Sequence, residues 1–297
     1  MIGELAALGA ALSWTLSAML YKKALQGATP ISANILRLAC TSAILLTFMI
    51  VIGKFEVLTS LPTETVVLAG VSGIIGLGFG DTLYMNSLKL IGVARAVPIT
   101  CTYPLFNLLW ATFLANEPLT LQVVLGAFII VIGIWLLSRE KEKSSAETQG
   151  KIMARGVAAA LATAVTWSIS ITMINMAVRD ASTLDQVFAI NTIRVTAIAI
   201  FLLVSVLGVN RGLSFLKVQR KTLAELIAGG IAALGLGWFF LTYSFMETLE
   251  SRAVPISSTT PLFSTLAGMI LLHEKVTAKT AVSSIIIVIG IFLIFVT

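Results

Sequence analysis

Charge is what this 297-residue sequence has least of. Only 11% of its residues are Asp, Glu, Lys or Arg, against about 25% in an ordinary soluble domain, while 58% are apolar. That balance excludes a soluble globular domain and points to a membrane protein. Histidine is nearly absent: His273, beside Glu274 and Lys275, reads as an interfacial polar residue. There is no Ser/His/Asp set, no pair of carboxylates within an apolar run and no metal-ligand spacing. No enzymatic site, cofactor or metal centre is therefore expected. The glycines Gly76-x-Gly-x-Gly80 sit inside an apolar run with no Lys-Ser/Thr after them. They read as close helix packing and not as a phosphate loop, so ATP hydrolysis has no visible home. The two cysteines, Cys40 and Cys101, lie inside apolar runs and imply no disulfide framework. The net charge is +6, but the basic residues stand singly or in small groups between apolar runs, so no nucleic-acid partner is expected. No basic stretch precedes the first apolar run, and Leu5–Tyr21 reads as a retained helix.

What is present is a duplication. Arg95-Ala-Val-Pro-Ile-Thr-Cys-Thr-Tyr-Pro-Leu-Phe106 returns 157 residues later as Arg252-Ala-Val-Pro-Ile-Ser-Ser-Thr-Thr-Pro-Leu-Phe263, with nine of twelve positions identical. The same offset carries Asn34 onto Asn191, Arg37 onto Arg194, Gly78 onto Gly235, Glu117 onto Glu274 and Val131-Ile-Gly-Ile134 onto Val288-Ile-Gly-Ile291. Further upstream an offset of 153 places Trp14 on Trp167. A constant offset over such a length marks an internal repeat.

Apolar windows long enough to cross about 30 Å of hydrocarbon recur throughout the chain. They predict spans near 4–22, 31–52, 65–88, 94–115 and 120–138, and again near 154–178, 184–209, 223–247, 253–272 and 279–296. The expected organisation is a first five-helix repeat over 1–138, a charged linker over 139–152 and a second five-helix repeat over 153–297. Five is odd, so the second repeat enters the bilayer upside down. The charges agree: placed on alternating sides, the loop basic residues gather on one side and leave only Lys54, Arg179 and Arg252 on the other. The expected fold is thus all-α, ten transmembrane helices as two inverted repeats around a central cavity. The positive-inside rule puts the linker in the cytoplasm and both termini outside a cell membrane.

Polar groups inside spans are the functional candidates, because each is costly there. Arg37 and Arg194 fall inside the second and seventh spans; an unpaired guanidinium there costs at least ~2.5–3.5 kcal/mol on insertion scales. They either bind or gate an anionic group in a wet cavity, or pair with neighbours and order the repeat. Asp81 is the carboxylate that lies deep in a span; pairing with Arg37, proton coupling and cation binding are all open to it. Its repeat equivalent is Trp238. The fourth and ninth spans carry the densest polar runs, Thr100, Thr102, Tyr103 and Asn107 against Ser257, Ser258, Thr259, Thr260 and Ser264. Each run is bracketed by prolines, Pro98/Pro104 and Pro255/Pro261. Proline frees a backbone carbonyl, tolerated in a bilayer only where protein or water satisfies it. Interrupted helices at matching positions of two halves point to a transporter's binding site, with simple kinking the alternative. Trp14, Trp167, Tyr84 and Tyr243 complete the set expected to line the cavity or to pack beside it.

These features together resemble the EamA-type family of the drug/metabolite transporter superfamily. The resemblance spans the chain and includes the glutamate that closes each proline run, in Asn116-Glu-Pro-Leu-Thr120 and His273-Glu-Lys-Val-Thr277. It implies a secondary active transporter working by alternating access on a small polar organic metabolite such as an amino acid. It also implies structural or gating roles for Glu117 and Glu274. The expected partners are a small-molecule substrate, the lipid bilayer and a coupling ion such as the proton, in a monomer or homodimer. The competing readings are a cation channel or carrier built on Asp81, and a membrane scaffold or enzyme without transport.

Overall fold

The structure, a computed structural model, describes residues 1–91, 96, 99–114, 116–138, 149–208, 217–263, 266 and 278–295. The described residues form helices and connections, without strands. In chain order the helices are α1 (Ile2–Ala24), α2 (Pro30–Val51), the short α3 (Phe55–Ser60), α4 (Thr63–Gly73), α5 (Asp81–Ile91), α6 (Tyr103–Phe113), α7 (Leu121–Ser138), α8 (Gln149–Val178), α9 (Leu184–Gly208), α10 (Arg220–Gly230), α11 (Trp238–Glu247), α12 (Glu250–Ser257) and α13 (Ala278–Phe295). Two π-helical segments, Ile74–Gly80 and Ile231–Gly237, join α4 to α5 and α10 to α11 into continuous rods.

The starts and stops follow local chemistry. Thr29 caps α2, its Oγ1 accepting from the Ser32 amide at 3.2 Å, with Pro30 supplying the first helical residue. Thr183 and Gln186 exchange hydrogen bonds at the start of α9, 3.3 Å and 3.2 Å, as a capping box. Past α6, Asn116 takes a left-handed φ of 54°, a conformation open to Asn, and turns Glu117 back towards the bundle.

Among the described residues six helices are long and apolar enough to cross a membrane: Ile2–Tyr21, Pro30–Val51, Thr63–Ile91, Lys151–Val178, Leu184–Ser205 and Arg220–Glu247. They fall where the first, second, third, sixth, seventh and eighth spans were expected. Leu121–Leu136 and Ala281–Ile294 are apolar but shorter. The fourth expected span is interrupted, as its two prolines led one to expect. It is broken at Cys101-Thr102, and the ninth is broken likewise at Ser258-Thr259.

The distribution of polarity is the reverse of a soluble protein's. Arg37, Asp81, Asn107, Asn191, Arg194 and Glu250 are buried, while Leu5, Leu12, Leu16, Phe128, Ile132, Val204, Ile285, Val288 and Phe292 are exposed. The exposed side chains recur along helix faces, as apolar stripes turned to lipid. The chain is a multi-pass membrane protein.

The main packing runs between the halves. α1 lies against the α10–α11 rod, and α8 lies against the α4–α5 rod. α2 packs on α9, and α7 packs on α13. The last contact is tight because Gly126 and Gly290 face each other: a Cβ on either would come within 2.9 Å of the other's carbonyl oxygen.

Candidate functional site

The two π-helical segments lie 157 residues apart, and each is met by an asparagine from another helix, Asn34 on α2 and Asn191 on α9. Asn34 Nδ2 donates to the Leu77 carbonyl at 3.1 Å, and Asn191 Nδ2 donates to the Leu234 carbonyl at 2.8 Å. A π turn leaves its carbonyls poorly served along the helix, and these amides serve them from the side. The glycines let neighbours come close, as the sequence led one to expect. A Cβ on Gly80 would stand 2.7 Å from the Trp167 ring, and one on Gly237 would stand 2.5 Å from Trp14 Nε1.

One residue past the first π turn stands Asp81, and here Arg37 finds its partner. Arg37 Nη2 donates to Asp81 Oδ2, its Nε donates to Asn34 Oδ1 at 3.0 Å, and its guanidinium lies 4.9 Å from the Tyr21 ring centre. Trp167 Nε1 donates to the other carboxylate oxygen, Asp81 Oδ1, at 2.8 Å. Rings continue from there: Tyr84 lies 5.0 Å and Tyr103 6.0 Å from Trp167, centre to centre. The Tyr103 hydroxyl shares a 3.3 Å hydrogen bond with Ser257 Oγ. Arg37, Asp81, Tyr84, Tyr103, Trp167 and Ser257 are thus brought together around one point.

In the second half the position of Asp81 belongs to Trp238, and the chemistry changes accordingly. Arg194 lies 3.6 Å over the Trp238 ring and donates through Nη2 to Ser170 Oγ at 2.8 Å. Its Nε and Nη1 are buried without a hydrogen-bond partner among the described residues. Trp14 meets Trp238 edge-on at 5.4 Å and donates to the Ala233 carbonyl at 3.3 Å. Trp14 and Trp167 therefore occupy equivalent places, one on an indole and the other on a carboxylate.

The helix breaks match in detail. Thr102 N donates to Ile99 O and Leu105 N to Thr102 O, at 3.2 and 3.0 Å. Thr259 N donates to Ile256 O and Leu262 N to Thr259 O, at 3.2 and 2.9 Å. Pro104 opens α6 just past the first break; Pro261 follows the second, and Pro255 lies inside α12. Thr100 is buried beside the first break, and Thr260 reaches back to the Ser257 carbonyl at 3.4 Å and the Ala11 carbonyl at 3.5 Å. Pro98, Ser264 and Glu274 lie outside the described residues.

Two expected members sit elsewhere. Tyr243 stacks on Phe239 at 6.4 Å, in an aromatic row that runs through Phe188 to the exposed Phe48, and not with the Asp81 group. Asn107 belongs to a second polar cluster, at Glu250. Its Nδ2 donates to Glu250 Oε1, which also accepts from Thr172 Oγ1 at 2.6 Å, while Asn175 Nδ2 donates to Oε2 at 2.6 Å. Glu117 receives the free amides at the start of α12, Oε1 from Glu250 N and Oε2 from Ser251 N, both at 2.9 Å. Here Glu117 is a helix cap between the halves.

The sequence reading missed Glu250, which falls in the connection between the eighth and ninth expected spans. Its signal was available on α8, where Ser168, Thr172 and Asn175 form a polar stripe at helical spacing inside an apolar span. The polar faces of Tyr21 and Ser170 were missed as well.

Comparison with known proteins accords with this architecture. A protein of Archaeoglobus fulgidus named only as an uncharacterized transporter is 24% identical over 297 residues, covering 99% of this chain and 98% of its own. A Lactobacillus johnsonii protein named for ribose uptake, RbsU, is 26% identical over 244 residues, 76% of this chain and 77% of its own. A solved crystal structure, 21% identical, superposes with a TM-score of 0.77 over 98% of this chain and 95% of that one. The EamA-like transporter family model matches residues 1–139 and again 154–296. The chain belongs to the EamA-like transporter family, a multi-pass membrane transporter with small molecules as its substrates.

Proposed function

We propose that the protein is a secondary active transporter that carries a small polar organic metabolite with a carboxylate, such as an amino acid, by alternating access. In this reading the chain is ten spans in two inverted halves, 1–138 and 153–297, joined by the linker 139–152. The broken fourth and ninth spans, with Tyr103, Ser257 and Thr260, face the substrate path. The observation that carries the substrate class is the difference between the two arginines. Arg37 already holds Asp81, whereas Arg194 has Trp238 in that place and keeps Nε and Nη1 without a hydrogen-bond partner among the described residues. A carboxylate from the substrate would supply the missing counter-charge in the bidentate geometry a guanidinium favours. The cation-carrier alternative needs Asp81 as a free ligand, and Arg37 and Trp167 occupy both of its oxygens. The name of the RbsU relative adds a neutral sugar to the classes worth testing.

The test is a thermal-stability screen of purified, detergent-solubilised protein against amino acids, organic acids, sugars, amines and metal ions. A ligand at 100 times its Kd adds about 2.7 kcal/mol to stability. We expect a carboxylate-bearing hit whose shift disappears in Arg194→Ala. A sugar hit kept by Arg194→Ala would overturn the carboxylate assignment. A metal-ion hit lost in Asp81→Asn would replace the proposal with the cation carrier.

A further inference from the structure

Glu250 is a fully buried carboxylate that the substrate reading leaves unused, and the half-buried Glu117 lies beside it. Glu250 has no solvent exposure, and among the described residues neither carboxylate has an ion-pair partner. Glu250 is held by three donors instead, Asn107 from the first half and Thr172 and Asn175 from the second. Asn175 Nδ2 also reaches Glu117 Oε1 at 3.4 Å, so one amide bridges the two acids. The charged groups nearest on the surrounding elements are Glu117 on the connection after α6, Glu4 on α1, Glu247 at the end of α11, Arg179 and Asp180 just past α8, and Arg252 on α12 itself. Glu117 acts on Glu250 directly.

The cluster has an acceptor to spare. Asn107 is fully buried, and its Oδ1 has no hydrogen-bond partner among the described residues. Both acids have donors, but the Asn107 carbonyl oxygen beside Glu250 has none among the described residues, and a proton on the Glu250 carboxyl supplies one. Glu250 stands outside the apolar span that ends at Glu247. Burial moves its carboxyl above the usual carboxylate range; the bonds from Thr172, Asn107 and Asn175 pull it down, and the charge of Glu117 adds to the rise.

We propose that Glu250, with Glu117 beside it, is a proton-binding site whose occupancy sets the contact between the two halves at this end and so couples proton movement to transport. The inference rests on the transporter reading above. Ionised, Glu250 accepts from all three side chains and ties α6 to α8 and α12. A proton on Oε1 turns that oxygen into a donor, so the bonds from Asn107 and Thr172 cannot both remain. Rotation of the Asn107 amide then offers its open Oδ1 to the new O–H. The proton comes from water at this end of the bundle and returns to water on ionisation; no other bond changes. The contact that breaks joins the halves, and alternating access requires such a contact to open.

The first test needs no substrate. Infrared difference spectra of the detergent-solubilised full chain, titrated with pH, should show a protonated-carboxyl band that is absent in Glu250→Gln. Identical bands in both proteins would overturn the proposal. Should Glu250→Gln fail to fold, Glu117→Gln serves instead, because removing the neighbouring charge moves the band's midpoint to lower pH; an unmoved midpoint is the contrary result. The second test is uptake of a radiolabelled amino-acid mixture into proteoliposomes under imposed pH gradients. Uptake that responds to the gradient in wild type and ignores it in Glu250→Gln supports the coupling. Equal pH dependence in the two overturns it. A Glu250-dependent band with no uptake of any solute would leave the proton site standing, and would overturn the transporter reading together with the coupling.

Discussion

Arg37 and Arg194 occupy equivalent places, yet the residue opposite each decides what it costs to bury. Arg37 faces Asp81 and forms a buried ion pair with Tyr21, Asn34 and Trp167 around it. Arg194 faces an indole, whose quadrupole offsets its charge by about 2 kcal/mol when desolvated. Breaking a buried ion pair by removing one partner costs about 3–5 kcal/mol, because the other charge is left uncompensated. Asp81→Asn should therefore destabilise the protein by about that much, read as a fall in melting temperature in detergent. The double change Arg37→Leu with Asp81→Leu should recover most of the loss. An Asp81→Asn protein as stable as wild type would mean that the pair contributes no net stability. Both arginines and Asp81 were legible in the sequence, because a charge inside an apolar run is conspicuous. Glu250 was not, since its neighbours Glu247 and Arg252 give it the look of a solvated connection. Only its partners on α6 and α8, far away in sequence, reveal it.

At the scale of elements, interruptions are repeated more faithfully than the helices around them. The breaks at 101–102 and 258–259 share the same short-range hydrogen bonds, including Thr102 and Thr259 side chains donating to the carbonyls of Ile99 and Ile256 at 2.7 Å. Their prolines announced them, since a ring without an N–H cannot complete a helix. The π turns were less legible. The glycine runs predicted close packing, but glycine spacing alone does not say whether a helix widens there. Asn34 and Asn191, one helix away, satisfy the exposed carbonyls and complete the arrangement. If the breaks let the helices flex during transport, restoring the lost N–H should stiffen them. Pro104→Ala and Pro261→Ala should each slow uptake into proteoliposomes more than they weaken the ligand's thermal shift. Unchanged turnover in both variants would count against a hinge at these positions and leave the kink a matter of packing.

For the whole molecule, contacts between connections carry the topological argument. Lys54, after α2, pairs with Asp185 at the start of α9 at 2.7 Å. Glu4 near the N-terminus accepts from Thr248 Oγ1 at 3.0 Å, and Glu117 caps α12. In an alternating path of ten spans, all of these lie at the same end: the N-terminus and the connections after spans two, four, six and eight. Gly27 against Thr222, and Ile91 against Gly156, belong to the opposite end by the same count. Among the described residues none of these hydrogen bonds and ion pairs joins one set to the other, which is what the proposed ten-span path predicts. Which end faces the cytoplasm rests on the basic residues alone, and labelling decides it. With Cys40 and Cys101 replaced by alanine, a membrane-impermeant maleimide on intact cells should label Glu56→Cys and spare Ser144→Cys until the membrane is permeabilised. The reverse pattern would turn the protein over while keeping the fold. Labelling of both in intact cells would put the linker and the Lys54 connection on one side, and the ten-span path would fall with it.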